Sequence, residues 1–236
     1  MFSFLKRPQI PYDRVLVMGD IHGMSRRFFS LMDKIAFDLQ KDLLILLGDY
    51  IDRGDGSLLV LTYVKGLVRD GNCIALRGNH EDMMLSYLTD GSGDWLENGG
   101  QQMLEQLKSI PTSQQEALLD FIRQMPLYHR MTLPTGSILP WARQQDFIFV
   151  HAGVLNNVPL EKQPADVLCW IRPTQYSYKG KELLVVGHTP TMFLDDLTFK
   201  PIRRGRIIYM DTGSYYQEGA ISCLDFLSGK LYQSSC

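Results

Sequence analysis

The sequence predicts an α/β fold: a largely parallel sheet in the first half, then a second sheet of mixed or antiparallel strands. Three observations carry this expectation. Short continuous apolar runs alternate with amphipathic stretches through the first half. Each of those runs ends in a glycine-containing polar cluster. The second half returns to apolar runs with few long helices between them.

Val15–Met18 is uniformly apolar and runs into Gly19 and Asp20, the pattern of a strand buried on both faces. Phe28, Leu31, Met32 and Ile35 then fall on one face of a helix. Leu43–Leu47 is a second buried strand, again followed by Gly-Asp, and Leu58–Val68 is helical in pattern. Cys73–Leu76 is a third strand before Arg77, Gly78, Asn79 and His80. Residues 82–126 carry helical periodicity, broken by a turn at 91–94. Ser113 with Glu116 has the spacing of a capping box, and Pro126 ends the helix. Strands follow at Asp146–Val150, Leu183–Val186, Arg206–Met210 and Ala220–Phe226.

A chain of 236 residues with no linker or repeat is expected to form one domain over residues 1–236. Its 45% apolar and 21% charged content excludes a disordered or fibrous chain. A net charge of −2 argues against holding nucleic acid by electrostatics. Met1–Pro8 is too short in its apolar run for a signal peptide, and no run of about 18 apolar residues is present to span a membrane. The four cysteines, Cys73, Cys169, Cys223 and Cys236, form no C-x-x-C pair. They suit a reducing compartment, so a cytoplasmic address is expected.

Chemistry gathers at the strand ends, where ligands bind in open α/β sheets. The clusters are Gly19–Gly23, Gly48–Gly54, Gly78–Glu81, His151–Gly153 and Gly187–Pro190. Four of the five histidines lie in them, and only His129 does not. Imidazoles mixed with carboxylates suit Mn, Fe or Zn better than Ca or Mg. Asp20, His22, Asp49, Asn79, His151 and His188 offer six ligands, more than one tetrahedral ion needs. A carboxylate shared by two ions accounts for the surplus. Two ions about 3.5–4 Å apart form a clamp for in-line displacement at phosphorus.

Gly-Asp-x-His-Gly, Gly-Asp-x-x-Asp-Arg-Gly and Gly-Asn-His-Glu, in this order, resemble the phosphoprotein phosphatase family of calcineurin-like metallophosphoesterases, from Asp20 to about Asp211. The resemblance implies a β-sandwich of mixed sheets flanked by helices, and a metal-activated water attacking phosphorus. It implies that Asp20 and His22 bind a first metal, that Asp49 bridges, and that Asn79, His151 and His188 bind the second. It makes Arg53 the arginine that grips phosphate, together with Asn79 and, in bacterial members, Arg172. It makes His80 the general acid, oriented by Asp52. The cofactors implied are two divalent ions, Mn²⁺ first, with Fe or Zn as alternatives.

His-Ala-Gly replaces the family's His-Gly-Gly, and Asp211–Tyr216 stands where eukaryotic members carry Asn-Tyr-Cys. Both departures point to the bacterial branch. The substrate implied is a phosphorylated protein or small phosphoester, on serine and threonine and with tyrosine open. The alternative is a bis(5'-nucleosyl)-tetraphosphatase acting on diadenosine tetraphosphate. Those relatives tend to read Asn-Arg-Gly and Gly-Asn-His-Asp where this chain has Asp52-Arg53-Gly54 and Gly78–Glu81. No nucleic-acid or membrane partner is expected. Asp211 fits either a turn or a support for the site, and His129 a surface or strand position without chemistry.

Overall fold

A computed structural model describes residues 10–134, 144–172, 177–194 and 198–235. The expectations for Met1–Pro8 and Cys236 lie outside them. The first sheet has the order β10-β9-β1-β2-β3. It contains β1 (Arg14–Met18), β2 (Asp42–Leu46), β3 (Cys73–Ala75), β9 (Ser222–Asp225) and β10 (Leu231–Gln233). The second has the order β4-β5-β6-β8-β7. It contains β4 (Tyr128–Pro134), β5 (Gln144–Val150), β6 (Leu183–Val186), β7 (Ile202–Arg204) and β8 (Ile207–Tyr209). β1–β2 and β2–β3 pair parallel, as do β5–β6 and β6–β8, whereas β4, β7, β9 and β10 pair antiparallel. Both sheets are therefore mixed. The strand expected at Ala220–Phe226 corrects one assignment: as β9 it joins the first sheet beside β1, with Met18 opposite Cys223.

Strand side chains alternate between faces, so a buried run serves two cores at once. Val15, Val17, Leu43 and Ile45 pack with Phe147, Phe149, Leu183 and Val185 between the sheets. Leu16, Met18, Leu44 and Leu46 pack instead against the helices on the first sheet's outer face. Ile148, Val150, Leu184 and Val186 cover the other outer face with Leu168. These layers are what makes the strand sequences continuously apolar.

The helices are α1 (Ser25–Ile35), α2 (Ser57–Asp70), α3 (Asn79–Asp90), α4 (Gln101–Lys108), α5 (Thr112–Gln124) and α6 (Ala165–Trp170). None of the described helices is long and apolar enough to cross a membrane. The capping box expected at Ser113 is absent. α5 starts at Thr112 behind Pro111, with no side-chain cap. The glutamate that folds back on its own helix start is Glu81, whose Oε2 accepts the Gly78 N–H at 2.9 Å. α3 thus begins at Asn79, three residues before the expected helical stretch, which places Asn79, His80 and Glu81 in its first turn. Cys73, Cys169 and Cys223 are buried free thiols. His129 lies on β4 with its ring stacked 6.3 Å from Phe149.

Arg14 ties the sheet to α1. Its Nε donates to Asp42 at 3.0 Å, and its Nη atoms donate to the Ile35 and Ala36 carbonyls at 2.8 and 3.0 Å. Burial raises the Asp42 carboxyl, but Arg14 and the Asp38 N–H outweigh it and hold Asp42 below the ordinary value. Such a group contributes stability above its unfolded value of about 3.9 and loses it as pH falls through the lower folded value. Asp42→Asn is expected to cost about 1–2 kcal/mol at neutral pH, discounted for solvent reaching Arg14. Urea titrations at pH 7 and pH 3 check this: the gap between variant and wild type should narrow at the lower pH. An equal gap at both would assign the loss to packing.

Candidate active site

The loops after β1 and β2 are laced together by backbone bonds. The Ile21 and His22 N–H groups donate to the Asp49 carbonyl at 3.0 and 2.8 Å, and Gly54 N–H donates to the His22 carbonyl at 2.9 Å. His22, Asp49, Asp52, Arg53 and His188 all hold positive φ, between 51° and 71°. L-residues in this region are strained and persist where the surroundings fix them. Two glycines permit close approach: a Cβ on Gly187 would meet Asp20 Oδ1, and one on Gly78 would meet Asp49 Oδ1, at about 2 Å.

A cavity of about 380 Å³ is lined by His22, Asp49, Arg53, Asn79, His80, Arg172 and His188. Asp20 and His151 touch these residues from the side. His188 N–H donates to Asp20 at 3.0 Å, and His151 Nε2 lies 3.3 Å from Asp49 Oδ1. Asp52 lies behind His80, 2.6 Å from its Nδ1, so every predicted site residue is in one constellation. Two groups could hold a metal among the described residues: His22, Asp49 and His80, and Asp49, His151 and His188.

The histidines divide by what holds their far nitrogen. His22 Nδ1 faces the Ile51 carbonyl at 3.2 Å, His151 Nδ1 the Leu47 carbonyl at 2.8 Å, and His188 Nε2 the Trp170 carbonyl at 3.1 Å. A neutral ring donating there turns its lone pair inward, as a metal ligand requires. Burial and the neighbouring His80 push His22 down to about 3. Burial, His151 and Arg172 push His188 down to about 2, so both rings are neutral. The inward nitrogens of His151 and His188 each lie 2.9 Å from Asn79 Oδ1; for the neutral His188 ring, whose proton faces the Trp170 carbonyl, acceptor faces acceptor. A cation between them resolves the conflict, so the donor set fits a metal. Burial also lowers His151, but Asp49 overrides it and raises the ring to about 10, an attraction that a cation would replace.

His80 differs. Its Nδ1 is 2.6 Å from the Asp52 carboxylate, and its Nε2 is 3.9 Å from Asp49. Burial would lower this ring, yet Asp49 and Asp52 together raise it above the ordinary value. A carboxylate-backed imidazole of raised basicity suits a proton donor better than a ligand.

Three supports escaped the sequence expectations, and for a fourth, Asp211, they leave two roles open. Glu81 is fully buried and accepts the N–H groups of Asp49, Tyr50 and Gly78 at 2.8–2.9 Å, fixing the turn that carries Asp49. Burial and Asp49 push it up to about 7. Trp95, also buried, donates Nε1 to Asp52 at 2.9 Å and so orients the carboxylate behind His80. Tyr215 lies with its ring 4.5 Å from the Arg53 guanidinium carbon. Asp211 is both of the things its place allowed: it accepts the Gly213 N–H at 2.9 Å in a turn, and burial with nearby Asp49 raises it to about 6 beside Asp20. Only the Glu81 spacing from Gly78 was a signal in the sequence. Arg172 donates to the His188 carbonyl and Thr189 Oγ1 at 3.1 and 3.2 Å, which places its guanidinium at the cavity wall.

Comparison with known proteins agrees with this geometry. The calcineurin-like phosphoesterase family matches residues 13–222. Serine/threonine-protein phosphatase 1 of Salmonella typhimurium is 36% identical over 90% of this chain and 95% of its own length. A symmetrical bis(5'-nucleosyl)-tetraphosphatase of Nitrosospira multiformis is 31% identical over 63% of this chain and 46% of its own length. A solved structure provisionally named a diadenosine tetraphosphatase shares the fold, with TM-score 0.67 and 21% identity over 96% of this chain and 94% of that one. The chain belongs to the calcineurin-like phosphoesterase family and is a hydrolase of phosphoric esters.

Proposed function

We propose that the chain removes phosphate from phosphorylated protein side chains, serine and threonine first. The observation that carries this reading is the charge of the cavity wall. Among the described lining residues the cationic side chains are Arg53 and Arg172; beside them stand apolar Trp170, Pro190, Phe193 and Leu194, neutral polar Asn98, Thr189 and Tyr215, and the acidic Asp211. Two guanidinium forks match one phosphoryl group. A dinucleoside polyphosphate chain carries several further negative charges, and none of these other side chains supplies a positive charge to neutralise them. The near-full-length likeness to a serine/threonine phosphatase supports the same side, since the tetraphosphatase likeness covers under half of that relative.

Asp20, His22 and Asp49 would hold one divalent ion, and Asp49, Asn79, His151 and His188 a second, with Mn²⁺ favoured by the mixed imidazole and carboxylate donors. When bound, such ions acidify water to a pKa near 7 and neutralise phosphoryl charge. Arg53, Arg172 and Asn79 orient the phosphoryl oxygens. His80 gives a proton from Nε2 to the departing oxygen, held in place by Asp52.

Phosphoserine, phosphothreonine and phosphotyrosine peptides should be assayed beside diadenosine tetraphosphate, all with added manganese. The expected result is a kcat/KM at least ten-fold higher on a phosphopeptide. A preference for the dinucleotide would overturn the reading and favour the tetraphosphatase.

A further inference from the structure

Arg27 lies on α1, outside the cavity lining, yet its guanidinium reaches four backbone carbonyls of one loop. Nη1 donates to Ser214, Tyr216 and Gly219 at 2.7, 2.9 and 2.7 Å, and Nη2 donates to Gln217 at 3.1 Å. The loop is closed on itself: Tyr216 N–H bonds the Gly213 carbonyl at 2.9 Å, and Ala220 N–H bonds Thr212 at 3.1 Å. Converging carbonyls repel unless a cation with several fixed donors neutralises them, a task for arginine and not for lysine.

That loop carries Tyr215. Its ring stacks tilted on Tyr216 at 4.3 Å, meets His22 edge-on at 5.2 Å, and supports Arg53 at 4.5 Å. Arg53 itself sits at a φ of 63°, so its backbone does not relax easily to re-aim the side chain.

We propose that Arg27 is a positioning residue for Arg53, acting through the face of Tyr215. The proposal rests on the reading of Arg53 as the phosphate-gripping group. Arg27 fixes the loop, the loop fixes the ring, and the ring holds the guanidinium pointed at the phosphoryl oxygens.

The test measures KM for p-nitrophenyl phosphate, competitive inhibition by inorganic phosphate, and melting temperature. Arg27→Gln and Tyr215→Leu should each raise KM and the phosphate Ki about 3–10-fold, with a smaller change in kcat. Tyr215→Phe, which keeps the ring face, should recover most of that loss. The Arg27→Gln/Tyr215→Leu double variant should be no worse than either single, because both act through one link. In an Arg53→Ala background neither should add anything. Effects that multiply in the double variant, or an Arg27→Gln protein that melts lower but is inhibited by phosphate like wild type, would overturn the proposal. If Arg27→Gln does not fold, the Tyr215 pair decides: equal Ki values for Leu and Phe would overturn it. An Arg53→Ala protein with wild-type phosphate affinity would instead overturn the reading of Arg53.

Discussion

Asp49→Asn is expected to abolish phosphoester turnover, a loss of about 10⁴-fold or more, and chelation of the wild type should do the same. Asp49 stands between the two candidate groups, its Oδ2 3.6 Å from His22 and its Oδ1 3.3 Å from His151. The surrounding rings, His151 and His80 foremost, outweigh burial and hold this carboxyl well below the ordinary range, so it is ionised throughout. Asparagine keeps the shape and removes the charge that both groups share. Metal content by elemental analysis should fall with activity. Manganese should restore the chelated wild type better than calcium, because the donors include imidazole nitrogen. A metal-free sample at full activity would end the metallophosphatase mechanism for this chain.

His80→Asn is expected to slow hydrolysis of phosphoserine peptides about 10²–10⁴-fold. A serine alkoxide is a poor leaving group and needs a proton as the bond to phosphorus breaks. Among the described cavity imidazoles His80 has a carboxylate at its far nitrogen, through the 2.6 Å contact with Asp52, and its Nε2 is therefore the proposed proton donor. p-Nitrophenolate leaves unprotonated, so the same variant should lose far less on p-nitrophenyl phosphate. Metal content should stay near wild type. Equal losses on both substrates, with metal retained, would mean that His80 positions phosphate instead. Trp95 gives an independent check, since its Nε1 bonds both oxygens of the same carboxylate.

The ligand-type residues were legible because each lies at the end of an apolar run and all but His151 adjoin a glycine. The glycine after β6 leaves room for Asp20, and Gly78 leaves room for Asp49. Such local patterns survive in one sequence. The supports were not legible, because their partners are remote. Trp95 meets Asp52 from 43 residues away, and Arg27 meets its loop from roughly 190. Nothing local marks a tryptophan or an arginine for such contacts. The placement of β9 failed for a related reason. An alternating apolar strand reports that it is buried, and not which of two sheets buries it. The false cap at Ser113 shows the weakness of a two-residue signal, since the helix already starts at Thr112, behind Pro111.

The pairing of β1 with β9 has a consequence for biosynthesis. β1 lies inside the sheet, bonded to β2 on one side and to β9 on the other. Its first neighbour is made within seconds, but the second is encoded roughly 200 residues later. At about 5–20 residues per second, the nascent chain displays that side of β1 for roughly 10–40 s. During that time its free N–H and C=O groups, on a strand as apolar as Val15–Met18, are a template for any other extended chain nearby. Slower initiation or lower temperature reduces the number of such half-made chains that meet. The yield of active protein should therefore respond to synthesis rate more than to the stability of the finished fold.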